Sequence, residues 1–176
     1  MKIKYTLALL VFFGMSSCTK SSKELFESSK QNTENNQIDL AIKDLQKLLE
    51  KYPNDSLASK AQYKLASIHL NWKNDLRSGL LELQNTVDDY GESIHGEQAQ
   101  TQIDEFPDYI LNKAESLRKR KLLKEAVDHL MYMTEEYPQH EFTPKAQYML
   151  GDIYMNDFRD FTTAIQEYRK VSEKFV

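Results

Sequence analysis

The sequence predicts an all-α protein built from stacked pairs of helices. The main observation is internal repetition: the run Lys60-Ala61-Gln62-Tyr63 recurs 85 residues later as Lys145-Ala146-Gln147-Tyr148, and Tyr52-Pro53 recurs at the same interval as Tyr137-Pro138. Apolar residues also follow one another at spacings of three and four, which is the period of an amphipathic helix. The chain has only 5 Gly and 4 Pro among 176 residues, so few residues that break helices interrupt this pattern.

The first 18 residues differ from the rest. Lys2 and Lys4 precede an apolar stretch at residues 7–13, and small polar residues then lead to Cys18. The apolar stretch is too short to span a bilayer as a helix. This layout is typical of a secretory signal peptide, which we assign to residues 1–17, followed by a polar tether at residues 18–23.

Cys18 is the only cysteine of the chain, and its position resembles the bacterial lipoprotein signal, in which a cysteine becomes the lipidated first residue of the mature protein. The resemblance implies that acyl chains on Cys18 hold the protein at a membrane that it does not span. Met15 and Ser17 depart from the residues that this signal prefers, so the alternative is an ordinary signal peptide with an incidental cysteine. Many enterobacterial lipoproteins that stay in the inner membrane carry Asp directly after the cysteine. This chain has Thr19 there, so the resemblance favours the outer membrane.

Helices are expected wherever an apolar stripe is bounded by turn residues. Leu45 and Leu48 belong to one such stripe, which Pro53 and Asn54 terminate. The same reasoning predicts the helices Ile38–Tyr52, Leu57–Trp72, Gly79–Tyr90, Leu122–Tyr137, Pro144–Met155 and Phe161–Phe175. A Tyr followed nine residues later by Ala-Gln occurs three times, at steps of 38 and 47 residues. The 85-residue interval is therefore a 38-residue unit followed by a 47-residue unit, and two of the units carry one extra residue in their inner turn.

The longer unit carries its excess near His95–Asp108, where Pro107 must interrupt a helix. We expect a short extra helix at Glu97–Phe106 and a new helix from Asp108. The predicted organisation is repeats 1 and 2 in residues 24–93, an inserted elbow in residues 94–107, and repeats 3 and 4 in residues 108–176.

Small residues occur in pairs, one in each helix of a unit and about twelve residues apart. The pairs are Ser29 with Ala41, Ala66 with Gly79, Ala114 with Ala126, and Gly151 with Ala164. Together with Tyr-Pro after the second helix and with Leu150-Gly151 before Tyr154, this pattern resembles the tetratricopeptide repeat, and the resemblance implies that the two helices of each unit cross closely at these pairs. The resemblance covers roughly residues 22–176. It implies a right-handed solenoid of about four helix pairs, an architecture that usually binds other proteins.

No sequence pattern indicates catalysis, a metal centre or a cofactor. The four histidines are not spaced as metal ligands, and neither a Gly-rich phosphate loop nor a nucleophile motif is present. We therefore predict a protein that is not an enzyme and has no cofactor. The formal net charge of -4 and the export signal argue against nucleic acid as a partner. The basic run Arg118–Lys121 is either a solvated helix end or a contact for an acidic partner or lipid headgroups.

One face of the first helix in repeats 2 and 4 is a candidate protein-binding groove. Its residues are Lys60, Tyr63, Ser67, Asn71, Lys145, Tyr148, Asp152 and Asn156. Lys and Asn suit the carboxylate and backbone groups of an extended segment, and Tyr offers a flat apolar contact. The alternative is that duplication alone retained the residues that both copies share.

The lipoprotein cysteine directly before the repeats resembles the BamD-like outer-membrane lipoproteins, which belong to the machine that inserts β-barrel proteins. The repeats are also similar to those of CpoB, the periplasmic coordinator of the Tol-Pal system. The first resemblance implies a non-enzymatic scaffold, anchored to the outer membrane with its domain in the periplasm, that binds components or substrates of outer-membrane protein assembly. The second implies an envelope adaptor that coordinates division or the peptidoglycan machinery. Both imply protein partners and a membrane contact through the lipid anchor.

Overall fold

The computed structural model of the protein describes residues 19–175, so the predicted signal peptide and the predicted lipidation site Cys18 lie outside the described residues. Helices account for most of this range, which contains no strand. In chain order they are α1 (Ser22–Glu34), α2 (Ile38–Lys51), α3 (Ala58–Asn71), α4 (Leu76–Tyr90), α5 (Ile94–Asp104), α6 (Phe106–Lys119), α7 (Leu123–Glu136), α8 (Thr143–Ile153), a π-helical turn (Tyr154–Phe158) and α9 (Phe161–Lys174). The predicted all-α repeat solenoid is confirmed.

Four helix pairs make up the array: α1 with α2, α3 with α4, α6 with α7, and α8 with α9. Each pair turns at one residue with left-handed backbone, and these residues are Asn36, Asn74, Lys121 and Arg159. They follow one another at steps of 38, 47 and 38 residues, which are the steps of the sequence repeat. The backbone therefore repeats with the same two unit lengths as the sequence.

The inner turns are of two lengths. In the first and third pairs, the N–H groups of Gln37 and Leu122 donate to carbonyl groups five residues earlier. In the second and fourth pairs, the N–H groups of Asp75 and Asp160 donate to carbonyl groups six residues earlier. This difference is the extra residue that the sequence spacing predicts in two of the units.

The small residues expected at the helix crossings are all buried. A methyl group added to Gly79 would lie 2.2 Å from Leu70 Cδ2, and one added to Gly151 would lie 2.6 Å from the ring of Tyr168. Real side chains essentially never come this close, so the paired helices leave room for little more than a hydrogen atom at both glycines. Close crossing is thus the reason for small residues at these positions.

The start of α5 differs from the expectation. The predicted helix Glu97–Phe106 is wrong at both ends, because α5 begins at Ile94 and ends at Asp104. Ser93 determines the start: its side-chain oxygen accepts a hydrogen bond from the N–H of Gly96 at 3.1 Å. Asp75 acts in the same way on α4, which begins at Leu76 rather than at Gly79.

Pro107 lies in the first turn of α6, where its missing N–H leaves no hydrogen bond unmade. The new helix therefore begins at Phe106 and not at Asp108, and only Glu105 separates it from α5. Helix α5 packs against α3 and α4, whereas α6 packs against α7. Helix α5 therefore lies on the second helix pair, directly before the first helix of the third pair.

The core continues across this junction. Phe106 is fully buried, and the hydroxyl of Tyr109 donates to the carbonyl of Leu70 at 3.1 Å. Burial raises the pKa of Tyr109 to about 12. One apolar cluster extends from α3 to α8 and a second fills the space among α1, α2 and α3, so the array is held together by packing along its whole described length.

Candidate functional site

A groove of about 410 Å³ opens between α1, α3 and α5, and we call it the first groove. Three of the predicted binding residues, Lys60, Tyr63 and Ser67, lie on its α3 wall. The remaining lining residues come from all three helices and are Phe26, Glu27, Lys30, Lys64, His95 and Gln98. A groove of this volume is of the size that binds small ligands or a short stretch of peptide.

Cationic and aromatic groups alternate along the first groove. The Lys60 ammonium lies 5.4 Å from the centre of the Phe26 ring, a cation–π contact. The Tyr63 hydroxyl donates to Gln102 Oε1 at 3.0 Å, and its ring lies 6.2 Å from that of His95. Burial, and then the charge of Lys60, lowers the pKa of His95, which favours the neutral imidazole.

A second groove of about 590 Å³ lies against α6, α8 and the π-helical turn. The predicted residues Lys145 and Tyr148 line it, together with Glu115, Arg118, Lys119, Lys121, Met149 and Asp157. The Lys145 ammonium pairs with Glu115 at 3.0 Å. Tyr148 keeps 56% of its surface exposed and packs against Tyr168 at a ring distance of 5.2 Å.

The other predicted residues lie beside the grooves rather than along them. Asn71 donates to Ser67 Oγ at 3.3 Å, one helical turn earlier on α3. Asn156 donates to Asp152 Oδ1 at 2.6 Å in the equivalent position of the second copy. Each asparagine is therefore already hydrogen-bonded to a side chain four residues earlier. Only part of the helix face predicted from the sequence lines a groove.

Arg118, on α6, forms ion pairs with two carboxylates at the second groove. Its guanidinium donates to Asp152 at 2.5 Å and to Asp157 at 2.8 Å, and Lys121 pairs with Asp157 at 3.1 Å. Burial opposes the charge on Asp157, but the hydrogen bonds from Arg118 and Lys121 outweigh it and lower the pKa of that carboxyl. This part of the basic run is thus engaged in ion pairs, which the expectation of a solvated helix end did not include.

The chain matches a known protein family over most of its length. A family model described as an outer membrane lipoprotein, YfiO, matches residues 18–158. The chain belongs to the YfiO family of outer membrane lipoproteins. A tetratricopeptide-repeat model also matches residues 145–175, which contain α8 and α9 of this YfiO-family chain. The resemblance to BamD-like proteins is supported at the level of this family.

Solved structures similar to this YfiO-family chain include a tetratricopeptide repeat protein from Parabacteroides merdae, with 19% identity and a TM-score of 0.38 over 88% of this chain. The match spans 54% of that protein, so the present chain covers about half of its length. A second is the crystal structure of MamA, with 15% identity and a TM-score of 0.35 over 87% of this chain and 77% of that one. No curated protein sequence matches.

Two structural features are absent from residues 19–175. No helix there is both long and apolar enough to cross a membrane. In the same range, His, Asp and Glu residues nowhere gather in a group of three or more that could hold a metal ion.

Several groove residues of this YfiO-family chain escaped the sequence reasoning. Phe26 and Lys30 come from α1, and His95 comes from α5, two helices whose faces the periodicity of α3 does not reveal. A signal was nevertheless available, because the 85-residue interval relates Lys30 to Glu115. Applying the same interval to α1 and α6 would have identified Lys30 as a candidate groove residue.

Proposed function

We propose that this protein is a non-enzymatic scaffold that is anchored to the outer membrane through lipidated Cys18. Its helical repeats, on the periplasmic side, bind components or substrates of outer-membrane protein assembly, in the manner of BamD-like proteins. The observation that carries the proposal is the match to the outer membrane lipoprotein family, which begins at Cys18 and extends over α1 to α8. The two open grooves on neighbouring repeats supply a surface on which a protein segment can bind.

Affinity capture tests the partner class. The full-length protein, purified in detergent, is used as bait for solubilised envelope proteins, and enriched proteins are identified by mass spectrometry. We expect components of the β-barrel assembly machine or unfolded outer-membrane proteins. A control bait with Lys60→Glu and Lys145→Glu changes both grooves while leaving the buried core residues in place. Recovery of Tol-Pal proteins or peptidoglycan synthases instead would support the CpoB-type adaptor, and recovery of none of these classes would refute both proposals.

The anchor has a separate test. Cys18→Ser removes the thiol that would carry the lipid, so the protein should no longer incorporate labelled palmitate and should leave the membrane fraction. Acyl chains contribute about 0.8 kcal/mol per buried methylene, which makes the expected change in partitioning large. Ser17→Gly is the matched control, because it changes the neighbouring position toward the residues that lipoprotein signals prefer. Unchanged palmitate labelling of Cys18→Ser would contradict the anchor.

A further inference from the structure

The 85-residue interval relates the α1 and α3 walls of the first groove to the α6 and α8 walls of the second, and one pair of equivalent positions carries opposite charges. Lys60 and Lys145 are equivalent under the 85-residue interval, as are Lys30 and Glu115. In the second copy the two side chains form an ion pair at 3.0 Å. In the first copy the carboxylate is replaced by a second ammonium, so Lys60 has lost the partner that Lys145 retains.

Most charges of the second groove are also paired. Arg118 and Lys121 are paired with Asp152 and Asp157, whereas within residues 19–175 the exposed Lys119 has no carboxylate within 4 Å. The first copy replaces the four paired charges by neutral residues, namely Thr33, Asn36, Ser67 and Trp72. An incoming carboxylate at Lys145, Arg118 or Lys121 would therefore have to compete with carboxylates already in place.

The first groove keeps an excess of positive charge. Within residues 19–175, neither Lys60 nor Lys64 has a carboxylate within 4 Å, and Lys30 is paired only with Glu27, at 3.0 Å between half-exposed side chains. Lys64 is half-buried on the wall of the groove. Burial, and then the charges of Lys30 and Lys60, lowers the pKa of Lys64, whereas Glu34 opposes this shift. Unpaired cations held together at a partly buried surface favour an anionic ligand.

Resting on the proposed scaffold function, we propose that the first groove binds an acidic, extended segment of a partner protein. Its carboxylates would lie among Lys30, Lys60 and Lys64, in the position that Glu115 occupies in the second groove. An apolar side chain of the segment would contact the partly exposed ring of Tyr63, and Ser67 and Gln98 offer hydrogen bonds to its backbone. A peptide fits this concave site between three helices, whereas a flat lipid surface reaches only its rim.

Binding of synthetic peptides to the full-length protein in detergent tests the inference. The probe is a fluorescently labelled peptide with two glutamates flanking a phenylalanine, and its counterpart carries glutamines in their place. We expect the acidic peptide to bind about tenfold or more tightly than the neutral one, as measured by fluorescence anisotropy, because charge-assisted contacts are lost in the latter. Added salt should reduce this difference.

Exchanging the equivalent residues gives the sharpest variants. Lys30→Glu recreates in the first groove the pairing of the second, and we expect it to weaken binding of the acidic peptide by about tenfold or more. Glu115→Lys should give the second groove a measurable affinity for the same peptide. Lys47→Gln is the matched control, because Lys47 is exposed on α2 outside both grooves, and it should leave binding of the acidic peptide unchanged. If thermal melting shows that Lys30→Glu impairs folding, Lys60→Gln is the second variant, and it should also weaken binding of the acidic peptide.

Equal binding of the acidic and neutral peptides would overturn the proposal, as would unchanged affinity in both Lys30→Glu and Lys60→Gln. Vesicles that contain anionic phospholipid are the competing probe. If they bind in a Lys30-dependent manner while the acidic peptide does not, the groove recognises lipid headgroups and the proposal fails. The scaffold function would be refuted separately, by loss of the expected partner classes in affinity capture. If Lys30→Glu still captures those partners, the scaffold function remains and only the acidic-segment proposal is rejected.

Discussion

Ala126→Leu tests whether close helix crossing is what the small residues provide. Ala126 is fully buried on α7 at the crossing with α6, where Ala114 on the facing helix is also fully buried. Leucine adds three carbon atoms at a point where both helices carry only a methyl group. The two helices must move apart or the new side chain must adopt a strained rotamer.

The magnitude follows from packing. Overfilling a packed core costs about 1–3 kcal/mol, and the difference in helix propensity between Ala and Leu is small by comparison. We therefore expect a loss of about 2 kcal/mol in the free energy of unfolding. For a chain of this size, that loss corresponds to a decrease in Tm of roughly 4–8 °C.

The assay is far-UV circular dichroism, followed during heating and during titration with urea. Ser116→Leu is the matched control, because Ser116 is exposed on α6 and its replacement introduces the same side chain without entering the crossing. The control should melt within about 1 °C of the parent, as exposed substitutions usually change stability by less than 0.5 kcal/mol in either direction. If Ala126→Leu melts with the parent as well, the close-crossing explanation is wrong.

Three further outcomes are expected. Gly96→Ala should lower the free energy of unfolding by about 2 kcal/mol, although Ala has the better helix propensity. The added methyl would lie 2.2 Å from the Tyr90 carbonyl oxygen, a backbone atom that cannot rotate away. An unchanged urea midpoint would contradict this. Burial lowers the pKa of His129, so the unfolded chain binds a proton that the folded chain excludes, and stability should fall as the pH drops below about 6.5. His129→Leu should remove that part of the pH dependence, and identical Tm-against-pH curves for variant and parent would refute it. Arg118→Gln should lower the free energy of unfolding by about 2 kcal/mol, because Asp152 loses its ion-pair partner and Asp157 keeps only Lys121. The loss should shrink in high salt, and a salt-independent difference would argue against an ionic origin.

The paired small residues show how far sequence reasoning reaches. Ser29 and Ala41 were assigned to a helix crossing because their spacing resembles that of the repeat family, and both are fully buried. Local chemistry suffices here, because two helices can approach closely only where both carry small side chains. The same holds for the turns, whose left-handed residues keep the 38- and 47-residue steps.

The division between α5 and α6 lay beyond such reasoning. Pro107 indicated an interruption, but a proline is equally compatible with the end of one helix and the first turn of the next. In the structure α5 ends at Asp104 with Glu105 as its C-terminal cap, so Pro107 lies in the first turn of α6.

The candidate site was predictable only in part, since it is formed by three helices that lie far apart in the chain. Lys60 and Tyr63 were identified from the face of α3, but Phe26 and His95 enter the groove from other helices. The ion pairs of Arg118 reach residues more than thirty positions away, so no local period predicts them.

The sequence by itself determined the repeat, its two unit lengths and the small residues at the crossings. These features depend on neighbouring residues and on a periodicity that any helix must obey. Only the tertiary structure decided that Lys145 is neutralised by Glu115 while Lys60 lies over Phe26. Charges on different helices become partners only when packing brings them within a few ångströms, and that distance is a property of the assembled array.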